Sequence, residues 1–153
     1  MIQFEYTYSR NLDAIVKQII TNFAPEMIRI ILIVGSGGFI GTIARYLANE
    51  FIKKISTANF PLGTLLVNIT GCLIIGIIYG FIEKGKLLEP ELRLFLTTGI
   101  CGGFTTFSAF SVENIIMIRN GEFFYVFAYL ALSILLGFTA TYLGMVSVNW
   151  FKI

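Results

Sequence analysis

Histidine is absent from the 153 residues, charged side chains make up only 13% of them, and there are three prolines, two cysteines and one tryptophan. Each scarcity excludes something. Without histidine the commonest general base and metal ligand is missing, and no acidic pair or activated cysteine replaces it, so a membrane enzyme is set aside. Cys72 and Cys101 both lie in apolar segments, where a thiol packs like a small hydrophobe; neither a disulfide framework nor a Cys/His metal site is available. A formal charge of +2 is too small to argue for nucleic acid or acidic lipid as a partner. Residues 1–25 do not run from a basic region through an apolar core to a small-residue cleavage site, so no removable leader is expected. Hydrophobes fill the place of charge: they are 56% of the chain, and mean hydropathy is +0.82. Soluble domains carry about 25% charged residues, so this composition belongs to an integral membrane protein. At about 20 residues per crossing, the length allows roughly four spans in one all-α membrane domain.

Residues 11–23 place Leu12, Ile15, Val16, Ile19, Ile20 and Phe23 at helical spacing, with Asp13, Lys17, Gln18 and Asn22 between them. This stripe predicts a short helix in the headgroup region, capped by Asn11 and stopped by Pro25; the alternative is a helix packed on a neighbouring subunit. Residues 1–27 are therefore set apart as an extension from a four-helix membrane domain over 28–153. The first span runs from about Arg29 to Phe51. Its Gly37 and Gly41 form a small-xxx-small face for close helix approach. A dinucleotide-binding loop is rejected, because the GxGxxG register that starts at Gly35 ends on Ile40 and no strand precedes it. Arg45, near the end of this span, is either a snorkelling anchor or a vestibule cation that draws anions.

Pro61 is suited to open the second helix, which extends to about Glu83 with Gly71, Gly76 and Gly80 on or near a packing surface. Asn68 lies at a depth where a carboxamide must find partners, as interhelical glue or as a solute ligand, and Thr64 faces the same way one turn earlier. Gly80 to Lys86 imitates GxxxxGK, but Leu87 occupies the Ser/Thr position and a helix leads in, so the stretch is read as a loop. The third segment, from Glu89 to about Arg119, contains TTGICGGFTTFSAFS over residues 97–111. Paired glycines, adjacent threonines and serines weaken a helix there, and irregular backbone at bilayer depth is tolerated only where protein or a polar cavity surrounds it. A broken span is thus the candidate site, with free carbonyls and amides to hold ions. Glu113, toward its far end, either pairs with an arginine or meets the interface. Asn120-Gly121 marks a turn, and the last span, about Glu122 to Trp150, carries Tyr129, Ser133, Gly137 and Thr141 along one face. Phe123, Phe124, Tyr125 and Trp150 fit interfacial belts.

Four spans place Arg29, Lys84, Lys86, Arg93 and Lys152 on one side, against Arg45, Lys53, Lys54 and Arg119 on the other, once the remote Arg10 and Lys17 are discounted. The bias is nearly balanced under the positive-inside rule, so both insertion directions are expected and an antiparallel dimer follows. Four helices also give little room to enclose a pathway, which favours a homodimer.

Three blocks carry a resemblance: GFIGTIARY at 38–46, PLGTLLVNITG at 61–71 and GICGGFTTFSAFSVE at 99–113. In this order they resemble the Fluc (CrcB) family of fluoride channels, and Tyr129, Ser133 and Gly137 match its fourth helix, so the likeness covers about residues 28–150. It implies a dual-topology antiparallel homodimer of four-helix subunits in the cell inner membrane or plasma membrane, surrounded by membrane lipid, which passes fluoride out of the cytoplasm and confers fluoride resistance. By matching positions it implies a structural sodium ion held by the main-chain carbonyls of Gly102 and Thr105, pore phenylalanines Phe107 and Phe110, an amide near the ion path at Asn68, and a polar track through Tyr129 and Ser133. Spacing alone would make Phe107 and Phe110 packing residues. Two departures stand out: Ala109 occupies a position where the family usually has threonine, and the first 27 residues are longer than is usual. The chemistry agrees with the likeness, since a strongly hydrated small anion needs hydroxyl and amide donors and positive ring edges in place of water. Asn68, Ser108, Ser133 and the two phenylalanines offer those, with Thr64 and Arg45 along the approach. A small dual-topology exporter of organic cations is the rival by size, but the first span has no carboxylate before Glu50 and the second none before Glu83. A non-conducting half of a heterodimer is the other alternative.

Overall fold

Phe23–Ile55, Leu62–Glu83, Pro90–Arg119 and Phe123–Trp150 are each long and apolar enough to cross a bilayer, so the protein is a multi-pass, all-helical membrane protein. The structure, a computed structural model, describes residues 2–56, 60–85 and 89–150, and among residues 2–22 it describes only the side chains of Lys17, Gln18 and Thr21. The stripe at Leu12, Ile15, Val16, Ile19 and Ile20 and the charge of Arg10 thus fall outside the described side chains, and Lys86, Leu87 and Lys152 outside the described residues. Among the described residues every regular element is helical: α1 (Ile2–Ile55), α2 (Leu62–Glu83), α3 (Pro90–Leu94), a π-helical stretch (Phe95–Cys101), α4 (Gly102–Phe104), α5 (Phe107–Arg119), α6 (Phe123–Ser147) and a 3-10 turn (Val148–Trp150).

Contacts divide the chain into Met1–Leu32 and Ile33–Ile153. In the first unit the helix does not stop at Pro25, which lies inside α1. This corrects the expected short helix ending there. A proline removes one N–H and crowds the carbonyl four residues back, at a cost of about 3 kcal/mol, but it interrupts one bond only, and helix-compatible residues on both sides carry the helix through. Thr21 turns its hydroxyl onto the Lys17 carbonyl at 2.6 Å, within the same turn.

In the second unit α2 packs closely on α6. A Cβ on Gly80 would lie 2.6 Å from the Met145 carbonyl oxygen and one on Gly144 would lie 2.5 Å from that of Leu73, while one on Gly76 would collide with the Thr141 carbonyl. Lipid tails are as apolar as leucine, so close backbone approach of this kind supplies the van der Waals gain that hydrophobicity cannot. The face predicted at Gly37 and Gly41 behaves in the same way: Cβ atoms there would strike the Phe95 and Ile100 carbonyls of the third span. Leu65, Met117, Val126 and Tyr129 form the buried cluster, with Phe60, Ile69, Phe110 and Leu130 packed against it. The loops follow their sequence signals, with Gly85 and Gly121 at φ +67° and +74°, the left-handed conformation that a glycine adopts without a Cβ penalty.

Candidate functional site

The third span is broken where its composition predicted. Thr105 (φ −82°, ψ 156°) and Thr106 (φ −149°, ψ 118°) are extended, separating α4 from α5. Two side chains hold the break open by intercepting backbone donors. The Thr106 N–H, which in a continuous helix would bond the Gly102 carbonyl, donates instead to Asn68 Oδ1 at 2.8 Å, and Asn68 Nδ2 donates back to the Thr106 carbonyl at 3.1 Å. The Ala109 N–H, which would bond the Thr105 carbonyl, donates to Thr106 Oγ1 at 3.3 Å and so caps α5. The donors proper to Gly102 and Thr105 are therefore engaged elsewhere, which is the state a carbonyl must be in before it can serve a cation.

Upstream, the π-helical stretch Phe95–Cys101 shifts the hydrogen-bond register, a feature common at functional sites. Thr105 closes that end, with its N–H on the Cys101 carbonyl at 2.9 Å and its hydroxyl on the same oxygen at 3.0 Å. A cavity of about 350 Å3 opens against the break, and Asn68, Gly102, Thr105, Thr106 and Phe107 are among its lining.

Beyond the break lies a ladder of rings. Phe107 and Phe110 have centroids 5.7 Å apart, Phe110 and Tyr129 4.8 Å, and Phe60 and Tyr129 5.4 Å. Phe107 is 79% exposed at the open end, whereas Tyr129 is fully buried. Ser108 is exposed beside the break, with its hydroxyl 3.2 Å from that of Thr106.

Glu113 has two hydroxyl partners where the sequence reading offered an arginine or the interface. Its Oε1 accepts from the Thr64 hydroxyl at 2.6 Å and its Oε2 from the Tyr129 hydroxyl at 2.7 Å. Both hydroxyls belong to buried residues, so each needs an acceptor, and hydrogen bonds to a charged group are the stronger kind. A second cavity, about 230 Å3, opens at this end, with Asn49, Lys53, Ser56, Thr64 and Glu113 in its wall.

The structure thus brings together Asn68, Thr105, Phe107, Phe110, Thr64 and Tyr129 in one connected strip. It does not bring in all the rest. Ser133 is half-buried on α6 and makes no side-chain hydrogen bond among the described residues. Arg45 is half-buried and lines neither cavity. Of the alternatives for Asn68, the glue is plain: both ends of its amide are engaged, leaving one Nδ2 hydrogen uncommitted. Thr106 was not singled out from sequence, although a threonine immediately before the apolar helical run that starts at Phe107 is a cap signal. Lys53 was read only as a loop charge, and nothing local to it signals its place in the wall of this second cavity.

Comparison with known proteins adds the following. A family model described as CrcB-like protein, Camphor Resistance (CrcB), matches residues 32–145. A protein of Flavobacterium psychrophilum named fluoride-specific ion channel FluC is 43% identical over 116 residues, 76% of this chain and 94% of that one. A protein of the same name in Chlorobium chlorochromatii is 47% identical over 120 residues, 78% and 92% of the two chains. Another in Clostridium perfringens is 53% identical over 91 residues, 60% and 71% of the two.

Proposed function

The chain belongs to the CrcB family, and from that premise we propose that it is a fluoride-selective channel, not an enzyme, that lets fluoride leave the cytoplasm down its electrochemical gradient and so lowers fluoride toxicity. The observation that carries the reading is the break at Thr105–Thr106, with Asn68 latched to it and the Phe107–Phe110 pair directly after it. Hydroxyls, an amide hydrogen and the positive rims of phenyl rings replace the water around a small, strongly hydrated anion. None of these is a buried cation that would trap it. Weak contacts repeated along a strip favour throughput.

The working unit in this reading is an antiparallel, dual-topology homodimer in the cell inner or plasma membrane. Nearly balanced loop charges favour both insertion directions, and Phe107, mostly exposed in the single chain, needs a second copy to enclose its ring. The carbonyls of Gly102 and Thr105 would hold a structural sodium ion between the copies, since oxygen donors suit a hard cation and the N–H groups that would otherwise occupy them are drawn to Asn68 and Thr106. When bound, sodium supplies a fixed positive charge that offsets the carbonyls facing it. Asn68 and Thr106 keep those carbonyls unpaired.

Glu113 is the one observation on the side of a proton-coupled exporter, which requires a membrane carboxylate. Both its oxygens are occupied by hydroxyl donors, however, and the carboxylate therefore serves Thr64 and Tyr129. The deciding experiment is fluoride against chloride efflux from vesicles holding the purified chain. Rapid fluoride and negligible chloride release is expected. Failure to release fluoride, or release that follows a pH gradient only, overturns the channel; success with this chain alone also excludes the non-conducting half of a heterodimer. Tagging of both termini should report both orientations, and a single orientation overturns dual topology.

A further inference from the structure

We infer that Lys53 is the residue that draws fluoride into the mouth of the pathway, acting at a distance through its charge and not as a ligand. The inference rests on the channel reading above and adds a throughput-determining residue to it. Among the residues lining the 230 Å3 cavity, one is a cation, Lys53, and one is an anion, Glu113, with the Thr64 and Ser56 hydroxyls and the Asn49 amide also in the wall. Glu50 stands beside the rim, its Oε1 2.9 Å from Lys53 Nζ. An anion arriving there without Lys53 would meet two carboxylates, as well as the carbonyl end of α1, whose last turn holds Lys53 and Lys54. Lys53 offsets part of that repulsion and is the positive head in the cavity wall.

Two features suit it to steering. Its pair with Glu50 is an exposed i,i+3 contact, with side chains 73% and 41% accessible, so water screens the attraction and the ammonium is readily released toward the cavity. A lysine carries its charge as a compact, strongly hydrated head on a flexible stem, which attracts an anion without binding it through a fixed fork. Arg45, the cation the sequence offered for this task, lines no part of the mouth. Attraction by an exposed charge acts over the screening length, about 30 Å at 0.01 M ionic strength and about 3 Å at 1 M, so its contribution must vanish with salt.

The test uses the full chain in vesicles, with a few millimolar fluoride and ionic strength raised with potassium isethionate. Lys53→Gln is expected to slow fluoride efflux about threefold at low ionic strength and Lys53→Glu about tenfold, with both converging on the unmodified chain near 1 M. A merely structural lysine would not give a salt-dependent gap. Lys53→Gln efflux equal to that of the unmodified chain at every ionic strength overturns the inference, and so does a deficit of constant size. An unmodified chain that releases no fluoride instead overturns the channel reading itself, so the two failures are distinguishable.

Discussion

The α2–α6 pair and the third span are built from the same kinds of residue and reach opposite ends. In α2 and α6, glycines let two unbroken helices touch backbone to backbone, and α2 runs without interruption from Leu62 to Glu83. In the third span, glycines coincide with threonines and with an asparagine on the neighbouring helix, and the ladder is cut at Thr105–Thr106. Glycine by itself therefore does not break a membrane helix. What breaks it is a competing partner for a specific N–H: Asn68 Oδ1 for Thr106 and Thr106 Oγ1 for Ala109.

Substitutions at five positions would sharpen or break that contrast. The largest effect is expected just past the break: Phe107→Ile or Phe110→Ile removes a ring from the ladder and should abolish fluoride efflux, while size-exclusion chromatography shows the assembly unchanged. Unchanged efflux would reduce both rings to packing. Next comes Gly76→Ala, whose new methyl meets the Thr141 carbonyl on the unbroken side; backbone must move, and overpacking of this kind costs about 1–3 kcal/mol, read as a lower midpoint of thermal unfolding in detergent. Asn68→Ala acts on the broken side. It strips two hydrogen bonds and leaves the Thr106 N–H to return to Gly102, so stability should fall by about 1–2 kcal/mol and any stabilisation by sodium over potassium should disappear. Retained sodium dependence would separate the latch from the cation site. The smallest effect belongs to Thr106→Ala, loss of a helix cap worth about 1 kcal/mol in the same melting assay, with Thr106→Ser restoring most of it.

The break was legible because its residues are poor helix formers in a segment otherwise fit to span, and the small-residue faces at Gly37, Gly41, Gly76 and Gly80 were legible because spacing alone puts them on one side of a helix. The partners were less so. Glu113 had no signal separating an arginine from a hydroxyl as its mate, because Thr64 and Tyr129 lie 49 and 16 residues away and meet it only when α2, α5 and α6 are packed. The π-helical stretch was also unread, since a register shift follows from how α3 must meet α4 and leaves no periodicity of its own. Pro25 misled for the opposite reason: proline is a strong local breaker, and the helix passes through it because a single lost bond is a small fraction of a long ladder.

Composition and local pattern by themselves determined that this protein spans the bilayer four times and that its third crossing is interrupted, because hydropathy and helix propensity are properties of short windows. Tertiary structure alone decided which N–H is diverted to which side chain, where the Glu113 carboxylate finds its two hydroxyls and which lysine borders the cavity beside them, because those depend on helices distant in sequence being packed against one another.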